Sequence, residues 1–70
     1  MERFGEKLRT LRKKYNFTQK QVSNMLDVSR PYVAKIERGE KMPNAPMILK
    51  IADVFNVSID LLMRDELELE

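Results

Sequence analysis

The spacing of apolar and small residues between Gln19 and Arg38 constrains the fold of this chain more than any other feature. Apolar residues recur there at intervals that bury one side of each of two short helices. Ser23 puts a small side chain where two helices that cross at a steep angle must approach closely. The apolar positions are Val22, Leu26, Val28, Val33 and Ile36. This pattern predicts two short helices joined by a tight turn.

Helical periodicity also precedes this pair. A first helix is predicted by apolar residues at helical spacing, and Asn16 after it tolerates a left-handed exit. Thr18 and Gln21 form a capping-box pattern that starts the second helix, which runs to about Leu26. The apolar residues of the first helix are Phe4, Leu8, Leu11 and Tyr15.

A turn at residues 27–29 leads to a third helix. It begins at Arg30 or Pro31 and reaches Arg38, where Gly39 provides a C-terminal stop. Because proline disfavours helical geometry in the residue before it, Arg30 is itself a candidate N-cap. Residues 40–46 are predicted to be a loop.

Two further helices complete the prediction. A broad apolar stripe at Met47, Ile48, Ile51, Ala52 and Phe55 predicts a fourth helix that ends near residue 56. Ser58 caps a short fifth helix through residue 63. The alternating tail, DELELE, is expected to fray or to extend that helix. We therefore predict an all-α domain over residues 1–64 and an acidic tail over 65–70.

Composition excludes several kinds of site. The chain has 70 residues, enough for one domain near the lower limit of what a single core stabilises, and this size is compatible with oligomerisation. It has no cysteine and no histidine, so it lacks a disulfide framework, a Cys/His zinc site and an imidazole base. The acidic run at Asp65, Glu66, Glu68 and Glu70 is more typical of a solvated terminus than of a metal site. We expect neither an enzyme nor a cofactor.

Charge is distributed unevenly. The first 38 residues carry ten Lys and Arg and four Asp and Glu, a formal charge of +6, and residues 39–70 carry three and seven, a formal charge of −4. This split suits a chain that presents one side to a polyanion, and ordinary solvated charge explains it equally well. No run has the length of a membrane span, and the charged first residues do not resemble a signal peptide. We expect a cytoplasmic protein without a membrane partner.

The exposed face of the predicted third helix is basic. Val33 and Ile36 mark its buried side on a helical wheel. The opposite face carries Pro31, Lys35 and Arg38, flanked by Tyr32 and Ala34. An α-helix fits the major groove of DNA. A solvated helix face is the alternative, but the spacing of the preceding helix and turn favours contact with DNA.

Individual contacts follow from side-chain chemistry. Arg30, at the N-terminal end of the helix, is the first-ranked base reader, because a guanidinium binds guanine O6 and N7 in a bidentate fashion. Lys35 could reach a base acceptor or a phosphate, and Tyr32 could pack on a thymine methyl or bond a phosphate. Gln19 is placed to bond a phosphate at the positive end of the second helix. Lys41 and Asn44 in the following loop are weaker phosphate candidates.

Glu37 is an acidic residue inside the helix that should face DNA. The helical wheel turns it inward, where a partly buried carboxylate needs a cation. Arg12, one residue past the apolar Leu11, is the best placed cation by pattern. We predict that Arg12 and Glu37 form a structural ion pair.

Several motifs in order resemble the Cro/C1-type, or XRE, helix-turn-helix family across residues 4–63. The most specific are Thr18-Gln19, Val28-Ser29-Arg30, Ile36-Glu37-Arg38-Gly39, and Ile51-Ala52 with the closing Val57-Ser58-Ile59-Asp60-Leu61-Leu62. The resemblance implies a compact five-helix lambda-repressor-like domain, with the helix-turn-helix at helices 2 and 3. Such a domain binds pseudo-palindromic operators in double-stranded DNA as a homodimer and regulates transcription, with repression the expected direction.

The resemblance also implies roles for individual residues. Base contacts fall on Ser29, Arg30, Pro31, Tyr32 and Lys35, backbone contacts fall on Gln19 and near Lys41, and the family's inward ion pair corresponds to Arg12 and Glu37. The chain departs from the family pattern at three positions. Asp27 stands where the family prefers glycine, Ser23 stands where it prefers alanine, and Pro31 stands where it often has a polar base reader.

A domain of this size makes few contacts, so useful affinity calls for two copies on half-sites about 34 to 36 Å apart. Ile59, Leu62, Met63 and Leu67, with Leu69, are candidates for the dimer interface. The alternative is that Ile59 and Leu62 close the monomer core. Regulation could come from concentration, a partner protein or proteolysis. A protein-interaction module that keeps the fold without reading DNA, such as an antitoxin-like or adaptor subunit, is the alternative function.

Overall fold

Helices follow one another in the order that the sequence predicts. The structure is a computed structural model that describes residues 3–69, and in that part of the chain every regular element is an α-helix. α1 is Phe4–Lys14, α2 is Gln19–Leu26, α3 is Arg30–Glu37, α4 is Ala45–Phe55 and α5 is Ile59–Met63. α3 packs against both α1 and α2, α4 packs against α2, and α5 packs against α1 and α4. The predicted five-helix, all-α fold is confirmed.

Local side-chain chemistry starts and ends these helices. At the N-terminus of each helix from α2 to α5, a side-chain oxygen accepts a hydrogen bond from a backbone N–H of the first turn, which otherwise has no partner within the helix. These N-caps are Thr18, Ser29, Asn44 and Ser58. The predicted capping box of Thr18 and Gln21 is complete. Asn16 adopts the expected left-handed conformation, with φ 59°.

Two predicted helix starts need correction. Ser29 is extended, with φ −78° and ψ 153°, and its side chain caps α3, so Arg30 is the first helical residue and not the N-cap. Pro31 then occupies the first turn, where its missing N–H costs no helical hydrogen bond. The loop before α4 is shorter than predicted because Asn44 caps the helix and Pro46 also fits a first turn.

The core lies between all five helices and consists of residues that the apolar patterns indicated. Leu62 is completely buried within it, which removes Leu62 from the candidate dimer contacts and supports the alternative that it closes the monomer core. Ile59, in contrast, is 41% exposed. The core residues are Phe4, Leu8, Leu11, Val22, Leu26, Val33, Ile36, Ile48, Ile51, Ala52, Phe55 and Leu62.

Lys7 is buried among these apolar residues, with 1% of its surface exposed. Its Nζ donates hydrogen bonds to the backbone oxygens of Leu61 and Arg64, each at 2.5 Å. These oxygens belong to the C-terminal end of α5, whose carbonyl groups lack partners within the helix. Lys7 therefore ties α1 to the end of α5.

The sequence predicted that the acidic tail frays or extends α5, and it does neither. α5 ends at Met63, and the chain folds back onto the start of α1. There Arg3 N donates to Asp65 Oδ1 at 3.0 Å, and the Arg3 guanidinium donates to Glu68 Oε2 at 2.6 Å. Leu69 packs against the core, and Glu70 lies outside the described residues. In residues 3–69 no helix has the length and apolar character needed to cross a bilayer.

Candidate nucleic-acid interface

The turn between α2 and α3 is tight because one residue takes the left-handed conformation. Asp27 ends α2 with φ 58° and ψ 47°. Aspartate can replace the glycine that the family prefers at this position, because aspartate adopts the left-handed conformation more readily than most residues. Val28 N then donates to Ser23 O at 2.9 Å, and Ser29 caps α3 two residues after Asp27. The result is a short, fully capped helix-turn-helix unit.

Ser23 is the small residue within this unit. It is 1% exposed, and its hydroxyl donates to Lys20 O at 2.6 Å, within its own helix. The hydroxyl is therefore satisfied without a partner from α3, so the two helices can pack as closely as its small size allows. Serine thus replaces the family's alanine without leaving a buried polar group unpaired.

The outer face of α3 presents the predicted base readers. Ser29, Arg30, Pro31 and Lys35 are exposed, and Tyr32 is partly buried. The Tyr32 ring packs against the core, and Lys41 Nζ lies 6.0 Å from its centroid, close enough for a cation–π contact. The prediction that Ala34 flanks this face is wrong, because Ala34 is buried against the body of the domain with 7% exposure.

Arg38 shares the exposed side of α3 but is paired within the chain. Its Nε donates to Glu40 Oε2 at 2.5 Å, and both side chains are more than half exposed. The hydrogen bond from Arg38 lowers the pKa of Glu40 below its ordinary value, and the same contact raises the pKa of Arg38. The charge of Arg38 is partly neutralised, which leaves Arg30 and Lys35 as the main cations of this face.

Gln19 lies between the reading face and the interior. Its Nε2 donates to Glu37 Oε1 at 3.1 Å, and its Oε1 accepts from Arg30 Nη1 at 3.2 Å. Because the carboxylate can only accept, it holds the Gln19 amide with the nitrogen inward and the oxygen toward Arg30. The sequence indicated a phosphate contact for Gln19 but gave no sign of this orientation.

Arg12 and Glu37 meet in a bidentate ion pair. Arg12 Nε lies 2.7 Å from Glu37 Oε2, and Nη2 lies 3.1 Å from Oε1. The two side chains are 13% and 4% exposed. Arg12 Nη1 also donates to Phe17 O at 3.0 Å, just before α2. The pair therefore joins α1 and α3 to the start of α2, and Glu37 points away from the outer face of α3.

The two phosphate candidates outside the helices, Lys41 and Asn44, lie in the segment that joins α3 to α4. Asn44 Oδ1 accepts from Met47 N at 3.0 Å as the N-cap of α4, so the Nδ2 hydrogens are the donors that a phosphate would use. Lys41 is exposed beside Tyr32. Both residues lie between the end of α3 and the start of α4, and the Tyr32 contact links Lys41 to the outer face of α3.

Comparisons with known proteins agree with this geometry. The family model described as helix-turn-helix matches residues 8–62. The HTH-type transcriptional regulator YazB of Bacillus subtilis is 37% identical over 59 residues, which cover 84% of this chain and 86% of YazB. The HTH-type transcriptional activator BcrR of Enterococcus faecalis is 41% identical over 63 residues, which cover 90% of this chain but only 31% of BcrR.

A solved structure gives the same result for the fold. The crystal structure of the P22 c2 repressor protein in complex with a synthetic operator superimposes with a TM-score of 0.84 and 30% sequence identity. The similarity covers 90% of this chain and 96% of that one. A match of this extent supports the arrangement of the helices described above.

Proposed function

This chain belongs to the helix-turn-helix family of DNA-binding transcriptional regulators, and from that membership we propose that it binds a pseudo-palindromic operator as a homodimer and represses transcription. The family consists of DNA-binding regulators and not of enzymes. The observation that carries the proposal is the outer face of α3, where Arg30 and Lys35 are exposed on a helix held rigidly by the capped α2–α3 unit.

Base reading is assigned to the N-terminal half of α3. Arg30 reads guanine through O6 and N7, and Lys35, just over one turn further along, donates to a second base acceptor or to a phosphate. The Ser29 hydroxyl oxygen accepts from Tyr32 N at 3.3 Å, which leaves its hydrogen free to donate to DNA. Tyr32 and Pro31 complete the surface that enters the major groove.

Phosphate binding is assigned to Gln19, Lys41 and Asn44. Gln19 stands at the first position of α2, where backbone N–H groups and the helix dipole attract an anion. One of its Nε2 hydrogens bonds Glu37, and the other remains for a phosphate oxygen. Lys41 and Asn44 would grip the backbone on the other side of α3, so that the recognition helix lies between two points of attachment.

Dimerisation is assigned to the exposed side of α5 and the segment that follows it. Ile59 is 41% exposed, and Met63 and Leu67 are partly exposed. Ile59 and Met63 are four residues apart and so lie on one side of the helix. Two copies joined there would give each monomer half of a symmetric site, which adds the affinity that one small domain lacks.

Repression needs only occupancy of the operator, because a bound dimer excludes other proteins from the promoter. Activation would require a further contact with the transcription machinery. A regulator of this kind acts where its DNA lies, so we place the protein in the cytoplasm. In vitro transcription from a promoter that overlaps the operator should fall as the protein is added.

Selection of binding sites from random double-stranded DNA tests the proposal. The purified protein should enrich one symmetric sequence, and its affinity should fall steeply between low and high salt, because phosphate contacts release counterions. Ile59→Asp should weaken binding to the symmetric site but not to a single half-site. Failure to enrich any sequence even at low salt would refute operator binding and favour a protein-interaction module.

A further inference from the structure

We infer that Pro31 selects a thymine in each half-site, next to the base pair that Arg30 reads. The inference deepens the proposed operator binding and rests on it. Ser29 is the N-cap of α3, which makes Arg30 the first and Pro31 the second helical residue. Both are exposed at successive positions of one short helix, so in the proposed docking of α3 they enter the same groove.

Proline cannot read a base by hydrogen bonding. It has no backbone N–H, and its side chain is a ring of carbon atoms without donor or acceptor. Placed against the polar edge of a base, it would remove water from a donor or acceptor and offer nothing in return, which costs free energy. Proline at this position therefore discriminates against polar base edges.

The thymine C5-methyl is the one apolar group that an unmodified base pair presents in the major groove. Contact between this methyl and the proline ring buries apolar surface on both sides and strands no polar group. The ring also fixes the backbone at φ near −65°, so little conformational freedom remains to be lost on binding. Selection of thymine at this base pair follows from both effects.

Other side chains of α3 are less suited to this contact. The Tyr32 ring packs against the core and has Lys41 near it, and Ala34 is buried. Val33 and Ile36 belong to the core. Pro31 is thus the exposed apolar side chain of α3, and Lys35, four residues later, shares its side of the helix.

The test uses the operator enriched by the selection above, with each thymine replaced in turn by deoxyuridine, which lacks only the C5-methyl. Replacement next to the guanine read by Arg30 should weaken wild-type binding about fourfold per half-site, the factor that corresponds to one buried methylene-sized group. Replacement in both half-sites should weaken it about 15-fold. The guanine is identified by the position whose preference Arg30→Ala relaxes.

Pro31→Ala should bind the thymine and deoxyuridine operators with nearly equal affinity. Pro46→Ala is the matched control, because Pro46 is also exposed at the second position of its helix, and this variant should retain the fourfold penalty. Circular dichroism and thermal melting confirm that both variants are folded. Equal wild-type affinity for the two operators would overturn the inference, as would a full penalty in Pro31→Ala. Absence of any enriched operator would instead refute the proposed function on which the inference rests.

Discussion

Gly5 lies directly against the backbone oxygen of Ile36, at the place where the start of α1 meets the end of α3. A Cβ atom at position 5 would overlap Ile36 O and stand 2.9 Å from Glu37 O, inside normal contact distance. The two helices can approach this closely only because the side chain is absent. This contact sets the position of the C-terminal end of α3 on the body of the domain.

Gly5→Ala should destabilise the fold, although alanine favours a helix by about 1 kcal/mol over glycine. The clash is with backbone, which cannot rotate away, so we expect a net loss of about 1–3 kcal/mol in the free energy of unfolding. Urea denaturation measures it. Gly39→Ala is the comparison that isolates the effect of backbone conformation. Nothing lies within 4 Å of a Cβ atom built at position 39, so only its φ of +77° opposes the substitution. A Gly5→Ala protein as stable as wild type would disprove the close contact.

Arg12→Met should lower the free energy of unfolding by about 3 kcal/mol, because Glu37 would keep a nearly buried carboxylate without its cation. Thermal melting and urea denaturation report the loss. The double variant Arg12→Met with Glu37→Leu should recover part of it, since no unpaired charge then remains. An unchanged melting temperature in Arg12→Met would contradict the structural role of the ion pair.

Lys7→Met should destabilise the domain by about 1–3 kcal/mol, because Leu61 O and Arg64 O would lose the Lys7 ammonium as a donor and Arg64 O would keep only Leu67 N, at 3.2 Å. Methionine keeps most of the buried volume, so the loss reports the hydrogen bonds and not a cavity. Lys13→Met, at an exposed position of the same helix, should change stability little. Faster amide exchange in α5 of Lys7→Met would locate the effect, and equal stability of the two variants would contradict it.

The helix caps, Gly5 and Lys7 show where prediction from sequence succeeds and where it fails. Thr18 and Ser58 were correctly predicted as caps because a cap is set by side chains within one helical turn. The requirement for glycine at position 5 comes from a backbone oxygen in α3, and no local pattern signals it. The burial of Lys7, in contrast, is indicated by its spacing. It lies three residues after Phe4 and four before Leu11, on the apolar stripe of α1.

The candidate site shows the same division. Lys35 could be placed on an outer face from helical periodicity, and Arg30 was singled out by its place at the N-terminal end of the helix. Arg12 was matched to Glu37 because an inward carboxylate demands a cation. The orientation of the Gln19 amide depends on Glu37 and Arg30 together, which come from a different helix. Periodicity assigns residues to the faces of a helix but not to hydrogen-bond partners on another helix, so this contact is seen only in the folded structure.

Arg30→Ala and Gln19→Ala should differ in their effects on DNA binding. Arg30→Ala should relax the preference at one base pair of each half-site, at a cost of about 1–3 kcal/mol in discrimination. Gln19→Ala should weaken binding to all sequences and relax the same base pair to a smaller extent, because Arg30 loses the acceptor 3.2 Å away. Titration against operators with single substitutions gives both profiles. Identical profiles for the two variants would contradict separate roles.

The contact between Arg3 and Glu68 should make stability depend on pH in the acidic range. Arg3 donates hydrogen bonds to both carboxylate oxygens and thereby lowers the pKa of Glu68 below its ordinary value. Since the folded-state pKa is depressed, the contribution is fully present above the ordinary glutamate pKa of about 4.3 and is lost as pH falls through the folded-state value. Glu68→Gln should therefore be less stable than wild type at pH 6, and the difference should shrink as the pH falls below the ordinary glutamate pKa and through the depressed folded-state value. Urea denaturation at each pH measures it, with Glu66→Gln as an exposed neighbouring control. Salt should reduce the difference at pH 6, because the Glu68 side chain is largely exposed and that of Arg3 is partly exposed. A difference that is independent of pH would show that the tail is held by Asp65 and Leu69 and not by this ion pair.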